Sequence, residues 1–162
     1  MTLAEARVPE GGSRGVGLPR RGDPLVLARS GAFRLLVPLE NVERVLPAAL
    51  PTARPGTGGP DHPVVSVGGR LLPVLFAEAL LGAAEARLRP GDQLLQLKDG
   101  AHQALLWVSA VEEVVACEPL APPADHRPGL VAGYSDADGP LAVLDVARAL
   151  ALTLATRTGE VA

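Results

Sequence analysis

The chain has 162 residues, of which 48% are hydrophobic and only 2% aromatic, with a formal net charge of −3. That length holds one domain or two small barrels sharing a core, and the apolar share argues against wholesale disorder. The charge and the scarcity of aromatics argue against a general nucleic-acid surface, an anionic-membrane surface or a base-stacking platform. With Phe33, Phe76, Trp107 and Tyr134 as the aromatics, the core must be built from Leu, Val and Ala. Eighteen Gly and 16 Pro imply frequent turns, hence many short strands rather than a helical bundle. The single Cys117 rules out an internal disulfide and fits a reducing compartment.

Residues 1–22 show glycines, prolines and scattered charges without a period, and are expected to form a disordered arm. They lack a continuous apolar stretch, so no secretory signal is expected, and no run of about 18 apolar residues follows that could span a membrane. A cytoplasmic protein is the expectation. Leu25–Ala28 is a short apolar run, and Phe33, Leu35 and Val37 alternate as in a half-buried strand, with a turn at Ser30–Gly31. Leu39, Val42, Val45 and Leu46 recur at spacings of three and four, which predicts one or two amphipathic helical turns ended by Pro47. Residues 51–63 are a loop by composition; the GTGG within them lacks the Lys-Ser/Thr ending of a phosphate loop.

Val64–Val67 and Arg70–Leu75 form a predicted hairpin around Gly68–Gly69, and Pro73 marks an edge or a bulge. A short helix follows at 76–81, with Gly82 as its C-cap. A turn at Arg89–Pro90–Gly91 leads to a second hairpin, Gln93–Leu97 with Ala101–Val108, around Asp99–Gly100. Val111–Cys117 is a further strand. Leu130–Ser135 and Pro140–Leu144 make a third hairpin, and Asp145 is placed to N-cap a final helix reaching about Thr156, with Leu150 and Leu154 on one face. About nine strands in two groups, without βαβ alternation, point to small antiparallel barrels.

Candidate chemistry is sparse. Glu112 and Glu113 are adjacent, so in a strand they face opposite ways. Asp136 and Asp138 resemble the start of a calcium loop without its remaining ligands. His62, His102 and His126 have no Cys or His partner at ligand spacing. Ser109 has no activating motif, and Trp107 reads as core. No catalytic residue, metal or cofactor is expected, and such a protein would act through its surfaces.

The pattern resembles the chemotaxis coupling-protein family, the CheW-like domain, over about residues 24–152. FRLLVPLENVERVL (33–46) is similar to that family's strand followed by P-x-x-x-V-x-x-V. VSVGGRLLPVLF (65–76) is similar to N-L-R-G-x-x-x-P-V-x-D-L, ALLWVSAVEEVV (104–115) to G-x-x-V-D-x-V-x-x-V, and GYSDADGPLAVLDVARAL (133–150) to the last hairpin and L-L-D-x-x-x-L.

The resemblance implies an all-β fold with short helices: a domain over 24–156 made of two intertwined five-stranded SH3-like barrels, about 33–82 and 92–144, with a C-terminal helix at 145–156. It implies a non-catalytic scaffold that joins a chemoreceptor's cytoplasmic tip to the regulatory domain of a CheA-type histidine kinase. It also implies an apolar receptor groove between the barrels, walled by Val42, Val45, Val64, Val65 and Leu106. Several polar family positions are substituted. Arg44 stands for a Glu, Gly68 for an Arg, Phe76 and Ser109 for Asp residues, and Pro63 and Leu105 for glycines. Two alternatives follow: a diverged interaction module with altered partners, and a small barrel that binds a ligand or catalyses.

Overall fold

At Gly68 and Gly69 the backbone takes φ values of 58° and 82°. This is the left-handed region that glycine enters without a Cβ penalty, and the predicted hairpin closes on it. The structure, a computed structural model, describes residues 19–52, 63–82, 88–117, 130–136 and 139–161. The expected arm up to residue 18, GTGG, His62, His126, Asp138 and the side chain of Leu154 lie outside the described residues.

Ten strands and two α-helices are described. They are β1 (Pro24–Ser30), β2 (Phe33–Pro38), β3 (Val42–Pro47), β4 (Val64–Val67), β5 (Arg70–Phe76), α1 (Ala77–Leu80), β6 (Gln93–Asp99), β7 (His102–Val108), β8 (Ala110–Ala116), β9 (Leu130–Asp136), β10 (Gly139–Leu144) and α2 (Val146–Val161). A single 3-10 turn, Leu39–Asn41, joins β2 to β3. The helix expected across 39–46 is therefore confined to that turn, and Val42–Pro47 is strand.

The strands form two five-stranded sheets, ordered β8-β1-β2-β10-β9 and β3-β6-β7-β5-β4. Exchanging β1–β5 for β6–β10 converts one order into the other. The correspondence extends to direction: β2 runs parallel to β10, β7 runs parallel to β5, and every other neighbour pair is antiparallel. The chain is thus two topologically equivalent halves, and each sheet takes two strands from one half and three from the other. The second sheet is the contiguous run β3–β7, and the first joins β1 and β2 to β8, β9 and β10.

Side chains explain why the sheets stay together. Val26, Leu35 and Val37 of one sheet pack with Leu95, Leu97, Leu106 and Val108 of the other, and Leu144 and Leu150 close the same layer. The opposite face of the first sheet carries Leu25, Leu27, Leu36, Val143 and Cys117; that of the second carries Leu72, Val74, Leu94, Leu105 and Trp107. With both faces covered, the inner strands read as apolar runs rather than alternating ones. Hence β2 is not half-buried as its alternation suggested, since Arg34 and Leu36 are buried too. The second sheet curls toward closure where Thr52 and Val64 exchange N–H···O bonds of 2.9 and 2.8 Å.

The part of the arm that is described is not free. Arg20–Asp23 forms a turn in which Arg20 O accepts from the Asp23 N–H at 3.0 Å. The Gly22 N–H donates to Cys117 O at 2.9 Å, and Cys117 N donates to Asp23 O at 2.8 Å. Cys117 itself is buried, as expected for a small strand hydrophobe.

Candidate functional site

The matched edge strands β3 and β8 carry the surface of interest, and a bulge gives each its shape. In β3, Val42 pairs with Leu97 but Arg44 pairs with Gln96, so Glu43 is the extra residue. In β8, Val111 pairs with Ala28 and Glu113 with Leu27, so Glu112 is the extra residue. A bulge shifts the alternation by one, which places residues three apart on the same face. Val42 and Val45 accordingly face the central layer: Val42 packs against it, and Val45 stands opposite the buried Leu95. Leu46 turns to the outer core, opposite Leu94. The same succession recurs as Val111, Val114 and Val115. Val111 packs on the central layer, Val114 stands opposite Val26, and Val115 reaches the outer core opposite Leu25.

Both bulged glutamates make the same kind of ion pair. Glu43 Oε1 lies 3.1 Å from Lys98 Nζ, and Glu112 Oε2 lies 2.9 Å from Arg29 Nε. Lys98 and Arg29 hold equivalent places, next to last in β6 and β1. These pairs are solvent-exposed, so each is worth about 0–1 kcal/mol and serves to fix geometry. Beyond the bulges, Val45 is 42% exposed and Val114 55% exposed, at the edges of their sheets.

The residues expected to wall a groove separate into two sets. Leu106 is 0% exposed inside the central layer, and Val64 is 1% exposed. Val65 is buried in the outer core of the second sheet. Leu106 lies in the layer between the sheets, which the chain's own side chains fill, while Val64 and Val65 are buried within β4. Val42 is half-buried, and Val45 is open. Of the substituted polar positions, Arg44 is exposed and pairs with no carboxylate among the described residues. Gly68 lies at the hairpin tip, where an added Cβ would meet nothing within 4 Å. Phe76 packs against Trp107 with ring centroids 5.9 Å apart. Ser109 Oγ accepts the Gly31 N–H at 3.2 Å, tying the β7–β8 corner to the β1–β2 turn.

Sequence reasoning missed Val111 and Val114, although V-x-x-V occurs in both halves and the repeat was the available signal. It also missed Asp92. The turn 89–92 has Pro90 followed by Gly91 at φ 92°, as a type II turn requires. It delivers the Asp92 carboxylate into the outer core of the second sheet. There Oδ2 accepts from Trp107 Nε1 at 2.7 Å and from the Arg89 N–H at 2.8 Å. A buried indole N–H needs such a partner. Among the described residues, no three of His, Cys, Asp and Glu come together as a metal site would need, and no helix is long and apolar enough to cross a membrane.

The family model of the CheW-like domain matches residues 24–153, the span from β1 into α2. The chain belongs to the CheW-like domain family. Among solved structures, this CheW-like chain is similar to the scaffolding protein TtCheW from Thermoanaerobacter tengcongensis. The two share 16% identity and a TM-score of 0.62, over 76% of this chain and 88% of that one. At that identity the likeness establishes the CheW-like all-β fold. No curated protein matches the chain.

Proposed function

We propose that this CheW-like chain is a non-catalytic, cytoplasmic adaptor that couples a chemoreceptor's cytoplasmic tip to the regulatory domain of a CheA-type histidine kinase. The family match over 24–153 carries the reading. The exposed Val45 on an edge strand supports it, since an apolar strip at a sheet edge suits a partner helix. Docking then uses Val45 and the open side of Val42.

The test is binding of a receptor cytoplasmic fragment to the full chain and to V45D. Val45 is open, so V45D should change unfolding free energy by about 1 kcal/mol or less. It should weaken receptor binding by about tenfold or more, as loss of a buried interface anchor does. Undiminished binding by folded V45D would remove β3 from the docking surface.

A second reading has its own support. Arg44 and Gly68 replace the Glu and Arg of the family pattern, which favours a diverged module with altered partners. Receptor-controlled kinase activation separates the two. A coupler restores it when added to receptor and kinase, and a diverged module leaves kinase activity unchanged.

A further inference from the structure

The turn that leads into each half is the same device used twice. Arg20, Arg21, Gly22 and Asp23 precede β1; Arg89, Pro90, Gly91 and Asp92 precede β6. In both, the glycine takes a positive φ, 87° and 92°, and the aspartate Oδ2 accepts the arginine N–H, at 2.7 Å and 2.8 Å. In both, the aspartate carbonyl then accepts the N–H of the residue that follows a matched edge strand: Cys117 after β8 at 2.8 Å, and Ala48 after β3 at 3.0 Å. The copies differ at the carboxylate. Asp23 is exposed, whereas Asp92 is 6% exposed and its Oδ2 also takes the Trp107 indole N–H. The counterpart of Trp107 in the first half is Pro38, which has no N–H to offer.

The second copy is thus anchored inside the molecule, and it closes on β3. Trp107 carries the hold across the outer core. Phe76 stands opposite Trp107, Trp107 opposite Leu94, and Leu94 opposite Leu46 of β3, and all four pack in that core. Leu46 and the exposed Val45 are consecutive and face opposite ways, so whatever sets Leu46 also sets Val45. Among the described residues β3 pairs with β6 on one side only, so its end rests on this hold. We propose that Asp92 is a positioning residue of the docking strand: through Ala48 and through Trp107 it holds β3 where Val45 meets a partner helix. The proposal rests on the adaptor reading and adds to it the residue that presents the strip. Both bonds on Oδ2 come from neutral N–H groups, so they need an oxygen rather than a charge, and an asparagine supplies one.

Amide hydrogen exchange and binding of a receptor cytoplasmic fragment, both on the full chain, test it, with circular dichroism to check that each variant is folded. D92A should raise exchange at residues 44–48 about tenfold, leave β1 and β2 unchanged, and weaken receptor binding about fivefold or more. D92N should stay within about twofold of wild type in both measurements, because its one side-chain oxygen accepts both bonds. D23A is the internal control: it should loosen the end of β8 and leave receptor binding unchanged. W107F keeps an apolar ring but removes the donor, so it should shift β3 in the direction of D92A, and it decides the matter if D92A does not fold. Unchanged β3 exchange in D92A, or in W107F where D92A is unfolded, would overturn the proposal. So would a D92N as weak as D92A, or a D23A that weakens receptor binding equally. If D92A binds the receptor as wild type does while V45D does not, the proposal falls and the adaptor reading stands. Undiminished binding by V45D would instead remove the docking strand itself, and the proposal with it.

Discussion

Asp145 is the residue whose charge and position pull in opposite directions. Its Oδ1 caps α2 by accepting the Arg148 N–H at 3.1 Å. Its Oδ2 is buried without a hydrogen bond, 3.8 Å from Arg148 Nε. Burial pushes the carboxyl above the ordinary carboxylate range; the Arg148 amide and guanidinium draw it back, Asp99 adds to the rise, and the Ala147 amide opposes it. In the unfolded chain such a group loses its proton at about pH 3.9. The folded chain holds that proton to higher pH, so between the two values the native state binds more protons and stability falls as pH rises. The contribution is whole below the unfolded value and gone above the folded one. Urea unfolding followed from about pH 3 to about pH 7 should show D145N lacking this decline while keeping its cap, since Asn caps as well as Asp. D145A should lack the decline and also lose about 1 kcal/mol of helix capping at every pH. This residue was legible in the sequence as a cap; its burial was not, because that depends on the sheet beneath α2.

Among the elements, β3 teaches most about what sequence pattern encodes. Valines at i and i+3 read as a helical face, and a bulged strand produces the same spacing by skipping Glu43. Periodicity alone cannot separate the two cases; the ion pair to Lys98 that accompanies the bulge appears only once β6 lies alongside. Turns were legible because they are local: Gly68–Gly69 and Gly100 adopt the positive φ that their dipeptides imply. The choice of sheet for β3 and β8 was not, since a strand's partner lies in another part of the chain. Edge and centre should also differ in dynamics. Amide hydrogen exchange is expected to be slowest in β2 and β7, which are paired on both sides, and faster in the edge strands β3 and β8. Equal protection across all four would mean that the edges are covered in solution.

At the level of the whole molecule, strand exchange makes each sheet depend on both halves. Neither half can complete its sheet alone, so the two sheets are expected to unfold in one transition. Trp107 lies in the second sheet and reports it by fluorescence, whereas far-UV circular dichroism reports both sheets. The two urea curves should coincide, and L106A, which opens a cavity in the shared layer, should shift both together by about 2–5 kcal/mol. Separate midpoints would show that the sheets are energetically independent. The all-β class and most strands were legible because glycines and prolines punctuate them. The sealed layer between the sheets was not: Leu106 read as a groove wall, and only the packing places it inside.

A molecule built from two interchangeable halves holds two drafts of the same strand. Val42, Glu43, Val45 and Leu46 are echoed in chemistry by Val111, Glu112, Val114 and Val115, and these are the positions that anchor, bend or bury. Divergence has room only where neither draft is needed for folding, and Arg44 against Glu113 records it at a single place. Specialisation of one half can therefore be found by reading the chain against itself, wherever a matched pair of positions disagrees in sign.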